Sequence, residues 1–366
     1  MRVVLAGGGH AHLYTLLRTA ELVDRGGEVT LVSDSPYLHY SGMATGVISG
    51  LYEPRRYRID VRGLVERGGG VFVQSRVVRI DAAEKEIVLN GGETVSYDVA
   101  SVCLGSETPG RGMDALCIKP VENVVEIRNR LLSLVRSRIP RVLVVGGGAA
   151  GCEVAANVLA LFERVGVRGD VTLTERSEGL LQGAPRRARE HAGAHLRARG
   201  AKVLTNTHVV SLTDGVARTR EGRELLYDLA VLATGVVPPD VFRTSGLSTG
   251  KDGGLLVDEK LRSVDDACLF GGGDCISYRG ESLPRFGVFA VRQGPVIYRN
   301  LRATLEGGPL VGYRPQRLFL YILNFGDGTG LAVYGPLVWR GRFPWRVKDC
   351  IDRGFLERYR LDDADV

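Results

Sequence analysis

The six cysteines of this 366-residue chain (Cys103, Cys117, Cys152, Cys268, Cys275 and Cys350) never fall at C-x-x-C spacing. That argues against a zinc site and against a disulfide framework, and no metal is expected. Long apolar runs are missing too, and none approaches the length of a membrane span. Met1 runs directly into an apolar segment, which leaves no room for a signal peptide, so the expected compartment is the cytoplasm. No basic stripe interleaves with aromatic residues, and nucleic acid is not an expected partner. The charge that is present leans positive, a net +6 with arginine strongly preferred over lysine. That balance suits an anionic cofactor or an anionic membrane surface. At 44% apolar and 25% charged residues, the composition is that of a globular chain with ample core and room for two or three domains.

Glycine, in contrast, is plentiful and placed. In Arg2 to Leu13 (RVVLAGGGHAHL) a short apolar run, Val3 to Ala6, reads as a buried parallel strand that breaks into three glycines opening a helix. Gly7 permits a tight turn, and Gly9 lets backbone N–H groups approach a pyrophosphate on the positive helix N-terminus. The third position of G-x-G-x-x-G falls on His12. A second copy, Val142 to Ala155 (VLVVGGGAAGCEVA), has Gly146, Gly148 and Gly151 all in place. The repeat extends further. Val29 to Ser33 is echoed by Val171 to Glu175, and Tyr97-Asp98 leading to Gly105 is echoed by Tyr227-Asp228 leading to Gly235. Such self-similarity marks two related nucleotide-binding units.

Taken in order, the first unit reads as a helix over Ala11–Val23 and a strand over Glu28–Ser33. That strand ends at the residue that meets an adenosine ribose: Ser33, with Asp34 beside it, where the second unit has Glu175. Pro36 to Tyr52 lacks helical or strand periodicity and reads as a loop passing close to something flat. A helix over Asp60–Arg67, a strand over Val71–Val73 and a three-stranded meander between Val77 and Tyr97 precede a strand over Val99–Leu104. Pro109 to Pro120 is the crossing into the second unit. There follow a helix over Glu122–Ser137, the second glycine loop, a helix over Ala188–Arg199, a strand over Lys202–Thr205, a meander over Val209–Leu225 and a closing strand over Leu229–Thr234. From Pro238 the chain returns to the first unit, with a short strand ending in a glycine-flanked acid (Leu269–Asp274) and a helix from Phe286 to Leu305. The tail carries strands Leu318–Asn324 and Gly330–Val333 and a helix Trp345–Tyr359. The fold class is α/β: two Rossmann-like βαβ dinucleotide-binding domains, each with a β-meander insertion, plus a small α+β C-terminal tail. The expected boundaries are 1–110, 111–237, 238–311 and 312–366.

Two glycine loops, a closing strand Leu232 to Gly235 followed by Pro238-Pro239, and the later Gly271 to Asp274 together resemble the two-dinucleotide flavoproteins of the pyridine nucleotide-disulfide oxidoreductase superfamily over about the first 300 residues. The resemblance implies FAD at Gly7, Gly9, His10, Ala11, Ser33 or Asp34, Ser41, Gly105, Gly273, Asp274, Phe286 and Gly287, with the Val77 backbone meeting adenine. It implies a nicotinamide nucleotide at Gly146, Gly148, Ala149, Gly151, Glu153, Glu175, Arg176, Thr234 and Gly235. Glu175 favours a free ribose 2′-OH, hence NADH, while Arg176 could accept a 2′-phosphate and leaves NADPH open.

Disulfide reductases of the superfamily need a C-x4-C pair in the region matching Tyr37 to Tyr52, and this chain has no cysteine there. Electrons therefore leave the flavin by another route. Tyr40 to Met43, the run Pro284 to Gly294 and the tail Trp339 to Tyr359 resemble a narrower branch, the type II NADH dehydrogenase-like FAD subunits, including those fused to selenide water dikinase. That branch implies an enzyme passing hydride from NADH to FAD and electrons to a quinone or other acceptor. Glu153 resembles the branch's acid near the nicotinamide, and Gln293 lies on the helix that would meet the flavin's N1/O2 edge; these are the two catalytic candidates. A sulfide:quinone oxidoreductase, with Cys117 and Cys275 as its sulfur pair, is the alternative enzyme. A flavin-binding redox sensor or partner subunit is the alternative of another class. The last helix sets Val347, Ile351, Phe355 and Tyr359 on one stripe among Arg346, Lys348, Arg353 and Arg358. It either lies on the inner face of the cell membrane or packs against the flavin domain or a second copy of the chain, giving a homodimer.

Overall fold

A computed structural model describes residues 1–110 and 112–361; the end of the expected tail, 362–366, lies outside the described residues. The first strand, β1 (Arg2–Ala6), is buried at every residue but its first, as a strand flanked on both sides in a covered parallel sheet must be. After it come α1 (Leu13–Leu16), α2 (Thr19–Val23), β2 (Glu28–Ser33), α3 (Ser41–Ile48), β3 (Val71–Gln74) and β4 (Val99–Val102). The second stretch holds β5 (Leu116–Cys117), α4 (Asn123–Leu134), β6 (Arg141–Val145), α5 (Ala149–Val165), β7 (Asp170–Thr174), α6 (Arg186–Ala198), β8 (Lys202–Leu204) and β9 (Leu229–Leu232). The chain then supplies β10 (Leu269–Gly271) and α7 (Gly287–Glu306), and ends in β11 (Leu320–Asn324), β12 (Gly330–Tyr334), β13 (Leu337–Gly341) and α8 (Arg342–Glu357).

Two five-stranded parallel sheets result, in the orders β10-β4-β1-β2-β3 and β5-β9-β6-β7-β8. Their registers correspond: Ala6 pairs with Val32 and Val145 with Thr174, so Ser33 and Glu175 are the next residues of matching strands. Each unit carries a three-stranded antiparallel meander, starting at Val77 in the first and at Val209 in the second. Strand β10 completes the first sheet from far along the chain by pairing with β4.

Five local features depart from the sequence expectation. The helix expected over Ala11–Val23 is broken into α1 and α2, and at the break the Thr19 hydroxyl donates back to the Leu16 carbonyl at 3.0 Å, a bond that competes with continued helix. The loop expected over Pro36–Tyr52 contains α3, in which Met43 through Ile48 are all buried. A helix enclosed on every side has no polar face and hence no period to read. The tail has a third strand, β13, in register with β12. Its helix starts at Arg342, with Pro344 in the first turn, where a missing amide costs nothing. Phe355 and Tyr359 of the expected stripe are buried, whereas Ile351 is 51% exposed. The inward face of the helix is instead set by Pro344, Lys348, Asp352 and Phe355; Ile351, one residue or about 100° round from Asp352, is turned to the outside.

Candidate functional site

The two glycine loops stand at the C-terminal ends of β1 and β6 and are built alike. Gly7 has φ +96°, and a Cβ on it would lie 2.3 Å from the Cys103 carbonyl oxygen; Gly146 has φ +109°, and its Cβ would lie 2.3 Å from that of Ala233. A side chain at either position is excluded both by backbone conformation and by the neighbouring strand. Gly9 is constrained by space alone, since its Cβ would meet the Cys103 sulfur at 2.3 Å and the Cys103 carbonyl oxygen at 2.7 Å.

The loops differ at their third position. In the second, a Cβ on Gly151 would sit 1.8 Å from the Gly146 carbonyl oxygen, so only glycine lets α5 approach. In the first, His12 occupies the place, fully buried, with Nδ1 at 2.6 Å from the Gly7 carbonyl oxygen and Nε2 at 2.8 Å from the Ser101 hydroxyl. A carbonyl can only accept, so Nδ1 carries the proton and Nε2 accepts from Ser101. Burial pushes the imidazole down to about 4 and keeps it neutral. His12 is thus a brace between loop and sheet.

Around the first loop, Asp274 follows β10 and accepts a hydrogen bond from the Ser106 hydroxyl at 2.9 Å, with the Lys119 ammonium 4.0 Å away. Gly105, at φ +70°, faces open space. Phe286 is the N-cap of α7, and a Cβ on Gly287 would be 3.8 Å from the Ser41 hydroxyl, so the starts of α3 and α7 converge. Ser33 is buried and Asp34 exposed at the end of β2. Val77 begins its meander paired with Leu89. Gln293 is 1% exposed, and its side-chain oxygen accepts the Gly273 amide at 2.7 Å, holding the Gly273–Asp274 turn. The His10 Nε2 is buried without a hydrogen-bond partner among the described residues. Burial, reinforced by Lys119, pushes this imidazole down to about 4. An orphaned buried nitrogen beside a side-chain-free loop and an acid is a cradle that suits a bound dinucleotide.

The second loop opens on a cavity of about 530 Å³. Gly146, Gly148, Ala149, Glu175, Arg176, Thr234 and Gly235 line it, and Phe286 and Tyr321 reach it from α7 and β11. The Glu175 carboxylate is fixed by the amides of Gly147 (2.7 Å) and Ser177 (2.8 Å). Glu153 is not among the lining residues. It turns toward the tail, where its Oε1 accepts the Asn324 amide at 2.7 Å. Desolvation pushes Glu153 up to about 7, against the opposing pull of Lys348 and the Asn324 amide.

Sequence reasoning missed how the tail is anchored. The Lys348 ammonium donates to Asp352 (2.7 Å) and to the Gly42 carbonyl (2.6 Å), and the Tyr40 hydroxyl donates to Asp352 (2.9 Å). Phe355 stacks on Tyr40 at 4.8 Å between ring centroids. On the other side, Arg199, the C-cap of α6, donates to the Phe325 carbonyl at 2.8 Å. The i,i+4 spacing of Lys348 and Asp352 was the available signal, but it reads as an exposed pair. Cys103, Cys152 and Cys275 are buried, and burial raises all three thiols, Cys103 to about 12. Cys117 belongs to β5 of the second sheet, whereas Cys275 follows β10 of the first.

The family model described as pyridine nucleotide-disulphide oxidoreductase matches residues 1–294. The chain is similar to the demethylphylloquinone reductase NdbB of Synechocystis sp., 27% identical over 390 residues and covering 98% of this chain and 96% of the relative. It is also similar to a type II NADH:quinone oxidoreductase of Haemophilus influenzae, 24% identical over 93% of this chain and 90% of the relative. Its fold matches the sulfide:quinone oxidoreductase of Aquifex aeolicus, with TM-score 0.84 at 16% identity over 98% of this chain and 91% of the other. It likewise matches NDH2 of Plasmodium falciparum in complex with NADH, with TM-score 0.83 at 14% identity over 98% and 97%.

Proposed function

Because the chain belongs to the pyridine nucleotide-disulphide oxidoreductase family, we propose that it is an FAD-dependent NAD(P)H dehydrogenase of the type II NADH:quinone oxidoreductase kind, delivering electrons to a quinone without a redox disulfide. The observation that carries this reading is the pair of glycine loops at corresponding places in two sheets of the same strand order, combined with an α3 that has no cysteine. The relatives NdbB and the Haemophilus enzyme bear names that join a reductase to a quinone, which supports a quinone as acceptor.

When bound, FAD supplies the redox chemistry, taking two electrons from the nicotinamide and passing them on. The protein contributes position and charge. Gly7, Gly9 and the orphaned His10 nitrogen receive FAD, and Asp274 holds it, with Gln293 fixing the turn from behind. The second loop, Ala149 and Thr234-Gly235 receive the nicotinamide nucleotide. Glu175, immobilised by two amides, presents its carboxylate to the ribose hydroxyls and repels a 2′-phosphate, so NADH is preferred; Arg176 at the rim admits NADPH more weakly. Quinone reduction consumes one proton from solvent beyond what NADH brings. Glu153, poised near neutrality, holds that proton at its carboxylate oxygens, with Lys348 setting the charge beside it.

Among the described residues no helix is long and apolar enough to cross a membrane. The tail instead exposes Leu337, Trp339 and Phe343 (51, 50 and 75%) next to Arg340, Arg342 and Arg346. This surface makes a peripheral contact with an anionic membrane, each buried large side chain contributing about 1.5–3 kcal/mol.

The test is anaerobic. NADH must bleach the yellow protein rapidly, and a quinone must restore the colour faster than soluble dyes do. A protein that NADH leaves yellow would be the sensor instead. Sulfide bleaching that is lost on changing Cys117 or Cys275 would install the sulfide:quinone oxidoreductase reading, which the buried Cys275 thiol disfavours.

A further inference from the structure

Arg285 precedes the N-cap of α7 and reaches in two directions. Its Nε donates to the Asp274 backbone carbonyl at 3.0 Å, and its Nη2 meets the Asp252 carboxylate at 2.6 Å. Asp252 is itself held in place, accepting from the Ser277 hydroxyl and from the Gly254 amide. The turn carrying Asp274 is therefore gripped at both ends: Gln293 takes the Gly273 amide at 2.7 Å from inside α7, and Arg285 takes the Asp274 carbonyl from just before α7. Between the two grips the Asp274 carboxylate meets, among the described residues, the Ser106 hydroxyl at 2.9 Å and the more distant Lys119. Without the guanidinium, the Asp274 carbonyl loses its tie to the segment that enters α7, and the Gly273 amide keeps its bond to Gln293.

We propose that Arg285 is a positioning residue of the flavin site, which ties the Asp274 turn and the start of α7 into one unit and thereby sets how firmly FAD is kept. The inference rests on the assignment of FAD to the first loop.

Its test compares wild type, Arg285→Ala, Arg285→Lys and Asp252→Asn as purified holoproteins, reading the rate at which FAD leaves on dilution and the melting midpoint with and without FAD. Loss of a charge-assisted bond predicts about five- to tenfold faster release from Arg285→Ala. A lysine cannot span both partners, so Arg285→Lys falls between it and wild type, and Asp252→Asn releases FAD about twofold faster. The FAD-free midpoints stay together while the stabilisation conferred by FAD shrinks in the same order. Equal release rates overturn the proposal, as does an equal drop in the FAD-free and FAD-bound midpoints, which would make Arg285 a general strut. If Arg285→Ala does not fold, the ranking of the two conservative variants decides in the same way. A wild type that binds no flavin overturns this proposal together with the assignment it rests on, whereas a yellow wild type with indifferent variants overturns this one alone.

Discussion

Replacing Glu153 by glutamine removes a titration while keeping the shape of the side chain and an oxygen for the Asn324 amide. In the folded chain the acid is raised from its ordinary 4.5 to about 7, a difference worth about 3 kcal/mol between protonation states. The folded value is the higher one, so the native state keeps a proton that the unfolded chain has already released. The resulting stability is fully present below about pH 4.5 and is lost progressively as the pH rises toward about 7. Glu153→Gln escapes this loss. The two proteins should melt together near pH 4.5, and the variant should lead by roughly 6 °C above neutrality, taking about 2 °C per kcal/mol for a chain of this size. Scanning fluorimetry across the range measures the gap. In turnover, quinone reduction by wild type should fall as the pH passes about 7 and the protonated acid is depleted. The variant should be slower by about 100-fold and flat with pH, while NADH still bleaches the flavin. A melting offset that is the same at every pH would show that the Glu153 proton is not part of the native state's balance and would refute the reasoning.

His12→Ala leaves the Ser101 hydroxyl and the Gly7 carbonyl without their partner in a buried space, and should cost about 2–4 kcal/mol, read as a lowered melting midpoint with weakened flavin retention. Gly151→Ala pushes α5 off the second loop, since its Cβ would sit 1.8 Å from the Gly146 carbonyl oxygen; the FAD spectrum should survive while the KM for NADH rises at least tenfold. Glu175→Ala removes the carboxylate held by the Gly147 and Ser177 amides and, if it selects the ribose as proposed, should narrow the NADH-over-NADPH preference in kcat/KM by about tenfold or more; an unchanged ratio would shift the selecting role elsewhere. The double change Trp339→Glu with Phe343→Glu should abolish binding to anionic vesicles without altering reduction of a water-soluble quinone. If sedimentation instead shows a dimer that this change dissolves, a second copy of the chain covers the surface.

The parts of the site that could be read in the sequence are those whose chemistry is local. A strand, three glycines and a helix are consecutive, and the repeat aligned Ser33 with Glu175 as the strand registers do. What could not be read depends on distant partners. Helix α3 is covered by α4 and α5 and tied to the tail through Lys348 and the Gly42 carbonyl, so its small and apolar residues are buried all round and its sequence lacks the period by which a surface helix declares itself. Lys348 and Asp352 look like a solvated pair until Tyr40 and the Gly42 carbonyl are brought to them from more than 300 residues away in sequence. Strand β13 is short and half-exposed, and only its register with β12 marks it. The His12 brace fails the glycine fingerprint at its third position, yet it stabilises the same turn through two hydrogen bonds that no motif encodes.

The placement of β10 has a consequence for how the molecule is made. Every strand of the second sheet lies between Leu116 and Leu232, whereas the first waits for Leu269–Gly271 to take its edge. On the ribosome, therefore, the half that begins later finishes sooner. Asp274 emerges only after that sheet is closed, so with FAD assigned to the first loop, capture of the flavin falls late in biogenesis; Phe286 and Tyr321, which reach the second cavity, emerge later still.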